Sequence, residues 1–307
     1  MSDVRPAPAF KRPLVTGAIG FIGMHMCCRL ADAGVRPVAL VRPSSDSARV
    51  EALREFADIA TAGDDDDQLL DLFVQSRPDV VFHLAARYIA THSLGDVPDL
   101  IADNVGLTAR VCEAASGSGC RALVYAGTAW QNAGSAPGDD TPSPSTLYAA
   151  TKQAGDEIID YYARARDLGA ITLKIYDSYG SGDPRRKFLT LLDNTMARGE
   201  TMKASLGDQK LHTVHVDDLV DGFVHAGNLL ITGERSGRHS FTLPSPGAIT
   251  LRELAQTWAR AAGVELSVEW GSTPHRPGEV MVPWEGTPLP GWSPRISLED
   301  GLRALQS

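Results

Sequence analysis

The 307-residue sequence has no long apolar run, no extended basic run and no Cys-x-x-Cys pair, and each absence removes a class of function. No stretch reaches the roughly 18 apolar residues that mark a membrane-spanning helix, so no membrane partner is expected. Acidic residues outnumber basic ones, 38 against 29, for a net charge of −9. That balance argues against nucleic acid as a partner. Cys27, Cys28, Cys112 and Cys120 lack metal-ligand spacing, and the adjacent pair cannot easily bridge. They are expected as reduced core thiols of a cytoplasmic protein, with neither a disulfide nor a metal site. The first ten residues are polar and contain proline, without the apolar core of a signal peptide, and read as a loose tail. What is present is an ordinary globular composition, 43% apolar, long enough for one large or two smaller domains.

The organising stretch is Leu14-Val15-Thr16-Gly17-Ala18-Ile19-Gly20-Phe21-Ile22-Gly23. An apolar strand runs into three glycines at G-x-x-G-x-x-G spacing, and a helical pattern follows from Met24 to Ala33. Gly17 permits an unusual turn, Gly20 lets backbone approach a pyrophosphate, and Gly23 lets the helix pack close to its strand. The first N–H groups of such a helix have no partner within it and face the anion. This is the strand–turn–helix context of a dinucleotide site.

A second apolar strand, Val35 to Val41, ends in Arg42, with Ser44 and Ser45 behind it and no acid. An acid at that place favours a ribose 2′-hydroxyl, whereas Arg with hydroxyls suits a 2′-phosphate, so NADP(H) is preferred and NAD(H) stays possible. The other reading of Arg42 is a plain surface charge. Gly63 leads into the acidic run Asp64 to Asp67, where Asp66 and Asp67 read as a helix N-terminus and Asp64 as an acceptor for the adenine amino group. Val80 to Ala86 is an apolar strand ending in small residues that leave room for a ligand, and His83 within it reads as a buried structural histidine. Asn104 to Ala115 is helical, and Arg121 to Ala126 is a fifth strand that delivers Thr128, Ala129 and Trp130 to the same edge. Strands alternating with helices predict an α/β fold, a doubly wound parallel sheet. The expected division is a tail at 1–11, a dinucleotide domain over 12–175 with 210–245 contributing, and a substrate domain over 176–209 and 246–307.

Tyr148 and Lys152 open the next helix one turn apart on one face. The Lys152 ammonium is expected to favour a phenolate at Tyr148 and lower its pKa, so that Tyr148 exchanges a proton near neutral pH. Helices are also expected over Phe188 to Arg198, Asp217 to Leu230 and Thr250 to Ala262, the last with a core face of Leu251, Leu254, Ala255 and Trp258. Asp217 and Asp218 read as a helix start and not as a metal pair.

Together these residues resemble the extended short-chain dehydrogenases/reductases, in the branch acting on nucleotide sugars, the NAD-dependent epimerase/dehydratase family. The resemblance rests on Thr16-Gly17-x-x-Gly20-Phe21-Ile22-Gly23, Gly63-Asp64, Phe82-His83-Leu84-Ala85-Ala86, Asn104, Thr128, Tyr148-x-x-x-Lys152, Tyr179-Gly180, Val216-Asp217-Asp218 and Ser297 to Leu302, in family order. It implies a Rossmann domain with a smaller C-terminal substrate-binding domain, and Thr128, Tyr148 and Lys152 as the catalytic group. It implies cofactor contacts from Gly17, Ile19, Gly20, Phe21, Ile22, Gly23, Arg42, Ser44, Ser45, Asp64, Asp65, Leu84, Ala85, Ala86, Asn104, Tyr148 and Lys152. Substrate contacts would come from Arg87, Thr128, Ala129, Trp130, Asp177, Ser178, Arg185, Arg186, Lys187 and Arg276. A homodimer through the helices at 104–115 and 149–166 is implied as well.

Departures from the family pattern narrow the activity. Family 4,6-dehydratases carry Asp and Glu after the Thr, where this chain has Ala129 and Trp130, which leaves water elimination without an acid or base. Many relatives have Asn at the place of Asp177 and a phosphate-binding Arg at the place of Leu211. Arg185, Arg186, Lys187 and Arg276 are the candidate replacements, the first two equally readable as a solvated loop. The Leu-Lys-Ile-Tyr-Asp-Ser-Tyr-Gly run resembles the 4-ketoreductases that make deoxysugars such as abequose. The expected activity is NADPH-dependent reduction of a 4-keto-6-deoxyhexose carried on a nucleoside diphosphate, dTDP or CDP. The alternatives are an NAD-dependent 4-epimerase and a non-catalytic NAD(P)-sensing protein.

Overall fold

Seven parallel strands form the central sheet of the computed structural model, in the order β11-β6-β5-β4-β1-β2-β3. Residues 5–63, 65–185, 187–276 and 278–306 are described. The first half alternates regularly: β1 (Pro13–Thr16), α1 (Phe21–Asp32), β2 (Val38–Val41), α2 (Ser47–Leu53), β3 (Asp58–Thr61), α3 (Asp66–Ser76) and β4 (Val80–His83). Then come α4 (Val97–Ile101), a π-helical turn (Ala102–Gly106), α5 (Leu107–Ser118), β5 (Ala122–Thr128), α6 (Leu147–Arg166) and β6 (Gly169–Ile175). The second half contains β7 (Asp177–Tyr179), α7 (Phe188–Ala197), β8 (Met202–Ala204), β9 (Lys210–Leu211), β10 (Thr213–His215), α8 (Val216–Ile231) and β11 (Arg238–Leu243). It ends with β12 (Ile249–Thr250), α9 (Leu251–Ala262), β13 (Val268–Trp270) and α10 (Leu298–Ala304).

The strands are apolar on both faces because helices cover both. Adjacent residues point to opposite sides. Val15, Phe82 and Val124 join one core with Met26 and Leu30 of α1 and Phe223 and Val224 of α8. Leu14, Val81 and Leu123 join another with Phe73 of α3, Val111 of α5 and Ile159 of α6. A third cluster, built on Tyr179, Leu192, Leu254, Trp258 and Leu302, unites α7, α9 and α10 beyond the sheet. The doubly wound parallel fold expected from the sequence is present.

Two stretches differ from the sequence reading. The helix expected from Asn104 is interrupted by the π-helical turn that contains Asp103 and Asn104. A π turn adds a residue to the helical repeat, which apolar periodicity does not report. The residue pattern predicts a helix over Glu51 to Phe56, whereas α2 runs from Ser47 to Leu53, because the Asp46 side chain accepts the Arg49 N–H and caps it early.

All four cysteines are free thiols, and burial raises Cys27 and Cys112 to about 12. No helix among the described residues is long and apolar enough to cross a membrane.

Candidate active site at the carboxyl edge of the sheet

The strand order reverses direction between β1 and β4, and an open α/β sheet binds its ligand outside the carboxyl ends at such a point. Gly17, just past β1, adopts φ +68°, and a Cβ there would stand 2.6 Å from the Ala85 nitrogen just past β4. A Cβ on Gly23 would stand 2.2 Å from the Gly17 carbonyl oxygen. These two glycines therefore let turn, helix and neighbouring strand close on one another. Gly20 is the N-cap of α1 and offers no side-chain cap. The first helical bond runs from Met24 N–H to Gly20 O, so the amides of Phe21, Ile22 and Gly23 precede it.

A chain of hydrogen bonds fixes the β4 end. Thr108 Oγ1 donates to the Asn104 carbonyl at 2.8 Å and so accepts from His83 Nε2 at 3.0 Å. His83 Nδ1 then accepts from Thr16 Oγ1 at 2.7 Å, which in turn accepts from the Ala85 N–H. Burial, with Lys152 nearby, lowers His83 to about 3, so this imidazole is neutral scaffold, as its place in the strand suggested. Asn104, fully buried, accepts from Arg87 N–H and donates to Arg87 O and Thr151 Oγ1. Its amide thus holds the loop behind Leu84, Ala85 and Ala86, and it acts on the crevice through Arg87.

Arg42 and Arg87 meet over one carboxylate. Asp103 of the π turn pairs with Arg42 Nη1 at 3.2 Å and Arg87 Nε at 2.8 Å. The Arg42 side chain remains 59% exposed, and a guanidinium carries five donors, so Asp103 engages only part of it. Ser45 Oγ accepts from Arg42 N–H at 3.0 Å. Ser44 is exposed beside it. Asp65 is taken up as the N-cap of α3, accepting from Gln68 N–H. Asp64 and Arg186 lie outside the described residues.

On the other side of the crevice, β5 ends at Thr128, whose hydroxyl accepts from Trp130 N–H at 3.3 Å. Thr146 caps α6 by accepting from Ala149 N–H, which starts the helix just before Tyr148. Here the structure corrects the expectation for the pair. The Tyr148 phenol is pushed above its ordinary range by burial and by Tyr88, with Arg185 alone opposing. Lys152 is not among the groups that bring it down; Lys152 is itself buried, and burial lowers it to about 7 against the pull of Asp156. Its Nζ rests 3.9 Å from the centre of the Tyr125 ring and has no hydrogen-bond partner among the described residues.

Tyr88 is a site residue that the sequence reading missed. Its ring packs edge-on against Tyr148 at 5.1 Å and lies 5.9 Å from Trp130. Asp177, Arg276 and Arg185 all act on its hydroxyl. The loops after β4, β5 and β7 and the segment around Arg276 therefore converge on Tyr148. An isolated aromatic in a loop has no periodicity, and its position two residues past Ala86 was the one available signal.

Arg185 is partly buried and paired. Asp183 takes its Nε and Nη2 at 2.6 Å, Ser178 Oγ accepts at 3.0 Å, and the guanidinium covers the Phe21 ring at 4.6 Å. Lys187 Nζ donates to Asp177 at 2.8 Å. Arg276 is exposed, and its backbone N–H donates to Glu279. Leu211 is spent pairing β9 with β12.

The residues present fit a dinucleotide. The glycine turn is a cradle that Cβ atoms would fill, and Lys152 Nζ is a buried donor without an acceptor. Comparison with known proteins agrees. The "UDP-glucose 4-epimerase" of Mycolicibacterium smegmatis is 31% identical over 95% of this chain and 96% of its own. The "CDP-abequose synthase" of Yersinia pseudotuberculosis is 24% identical over 89% of this chain and 91% of its own. A solved structure, "MoeE5 in complex with UDP-glucose and NAD", superposes with a TM-score of 0.79 at 26% identity, covering 96% of this chain and 97% of its own. The model of the NAD dependent epimerase/dehydratase family matches residues 13–235, and the chain belongs to that family of nucleotide-sugar enzymes.

Proposed function

We propose that the protein reduces the 4-keto group of a nucleoside-diphosphate 4-keto-6-deoxyhexose with NADPH. The observation that carries this reading is the wall beside Tyr148. Tyr88 and Trp130 stand together there, with Ala129 next to them. None of these side chains carries a carboxylate, so the wall offers no acid or base to eliminate water from the sugar and suits carbonyl reduction.

A nicotinamide, when bound, would supply the hydride for carbon 4. Tyr148 Oη gives a proton to the oxygen, and its raised proton affinity suits a donor that stays a phenol at neutral pH. Thr128 Oγ1 donates to the same oxygen as charge develops there. Lys152 Nζ holds the ribose. Arg42, Ser44 and Ser45 take the 2′-phosphate, and Arg185, Lys187 and Arg276 take the diphosphate of a CDP or dTDP sugar. A cytoplasmic homodimer belongs to the same reading.

The test is NADPH consumption with CDP- and dTDP-linked 4-keto-6-deoxyglucose. Steady oxidation giving a 4-hydroxy product is the expected result; no oxidation with either sugar overturns the reading. The second reading is an NAD-dependent 4-epimerase, favoured by the Mycolicibacterium smegmatis relative and by the NAD in the MoeE5 structure. Interconversion of UDP-glucose and UDP-galactose without added cofactor would establish it.

A further inference from the structure

One face of α6 carries a third charged residue behind the Tyr148–Lys152 pair. Asp156 follows Lys152 by four residues, as Lys152 follows Tyr148, so the three line one side of the helix. Asp156 has no exposed surface. Its Oδ1 accepts from Thr172 Oγ1 of β6 at 2.5 Å. Its Oδ2 accepts from Arg238 Nη2 of β11 at 2.7 Å and from Gln131 Nε2 at 3.5 Å. Three elements thus hold the carboxylate in place one turn below a buried ammonium that lacks any hydrogen-bond partner among the described residues.

A buried, unpartnered ammonium is costly and tends to shed its proton. The neighbours facing Lys152 do little to keep it charged. His83 is neutral, Tyr125 offers only its ring face, and the Tyr148 phenol is protonated. Lys174 and Arg238 are cations on the far side of Asp156, drawn to the same carboxylate. Asp156 is the anion within reach.

We propose that Asp156 is a positioning residue for Lys152, a fixed buried carboxylate one turn along α6 that favours the charged form of the Lys152 side chain, while Thr172, Gln131 and Arg238 keep Asp156 in place. The consequence for turnover rests on the reading of Lys152 and Tyr148 as reacting residues; the charge relation does not. With Asp156 in place, the Lys152 proton persists to higher pH than it would without that carboxylate.

The experiment titrates Lys152 by NMR in protein labelled with 13C-lysine, the resonance assigned by its loss in Lys152→Met. Wild type is compared with Asp156→Asn and Asp156→Glu. The double variant Asp156→Asn/Arg238→Gln guards against misfolding, because it removes both members of the ion pair and leaves no orphaned cation. The Lys152 midpoint is expected to fall by about one pH unit in Asp156→Asn and in the double variant, and to stay near wild type in Asp156→Glu. The alkaline limb of the pH–rate profile should move down with it, whereas a merely structural residue would lower the rate equally at every pH. A midpoint unchanged in the Asn-containing variants overturns the proposal, whatever the substrate proves to be.

Discussion

The Tyr88 ring stands edge-on to Tyr148, 5.1 Å between centroids, and links α6 to the loop after β4. Edge-to-face pairs contribute about 0.5–1.5 kcal/mol beyond the area they bury. Tyr88→Ala should therefore lower kcat/KM by roughly 2- to 12-fold, chiefly through Tyr148 orientation and the sugar-facing wall. Tyr88→Phe keeps the ring and should retain most activity. Steady-state kinetics of both variants decide this; equal losses would move the role from ring to hydroxyl.

Tyr148→Phe removes the proton donor and leaves the ring contact with Tyr88. The rate should fall about 10²- to 10⁴-fold with cofactor binding retained. Measuring turnover and cofactor titration on the same preparation separates the two effects. Retained turnover would exclude Tyr148 as the acid.

Arg42 is shared with Asp103, so its contribution to a 2′-phosphate can be read as a difference between cofactors. Charge-assisted hydrogen bonds contribute about 1.5–3 kcal/mol. Arg42→Ala should weaken NADPH binding by roughly 10- to 100-fold and leave NADH binding nearly unchanged. Calorimetric titration of both cofactors checks this. Equal effects on the two would leave Arg42 as only the partner of Asp103.

Much of this arrangement was legible in the sequence wherever it is local. The turn at Gly17–Gly23, the strand ending in Thr128 and the Tyr148/Lys152 spacing each follow from neighbouring residues. Their meeting at one sheet edge follows from the parallel βαβ pattern. What escaped depends on contacts between distant segments. The pairing of Asp103 with both Arg42 and Arg87 needs a π turn that periodicity does not reveal. Spacing placed Tyr148 and Lys152 on one face correctly. It could not show that Tyr148 is itself buried and packed against Tyr88, which is why the expected lowering of the Tyr148 pKa is replaced by a rise.

Gly23 tests the cradle by stability and binding together. A methyl group would meet the Gly17 carbonyl at 2.2 Å, and that backbone is fixed by Ala85 on its other side. Overpacking of this kind costs about 1–3 kcal/mol. Gly23→Ala should lower the Tm by several degrees and weaken dinucleotide binding more than a surface Gly→Ala control such as Gly247→Ala, where a methyl group meets nothing within 4 Å.

His25 should make stability depend on pH. Its Nδ1 meets Asp217 at 3.1 Å and its Nε2 meets the Ser181 carbonyl at 3.0 Å; both partners only accept, so the ring that satisfies both is the imidazolium. Burial opposes the charge, but the Asp217 and Ser181 bonds outweigh it and raise the pKa above its ordinary 6.5. A raised folded-state value means the stabilisation is full below about pH 6.5 and fades as pH rises through the folded value. The Tm advantage of wild type over His25→Gln should thus shrink from pH 6 to pH 8. An advantage that grows with pH would contradict the assignment.

The most direct measurement of the central claim follows NADPH and sugar together, in one reaction, on CDP-4-keto-6-deoxyglucose. The account requires one NADPH consumed per 4-hydroxy sugar formed, with the reaction lost in Tyr148→Phe. Unchanged NADPH beside interconversion of 4-hydroxy epimers on enzyme-held NAD would contradict it and establish the epimerase.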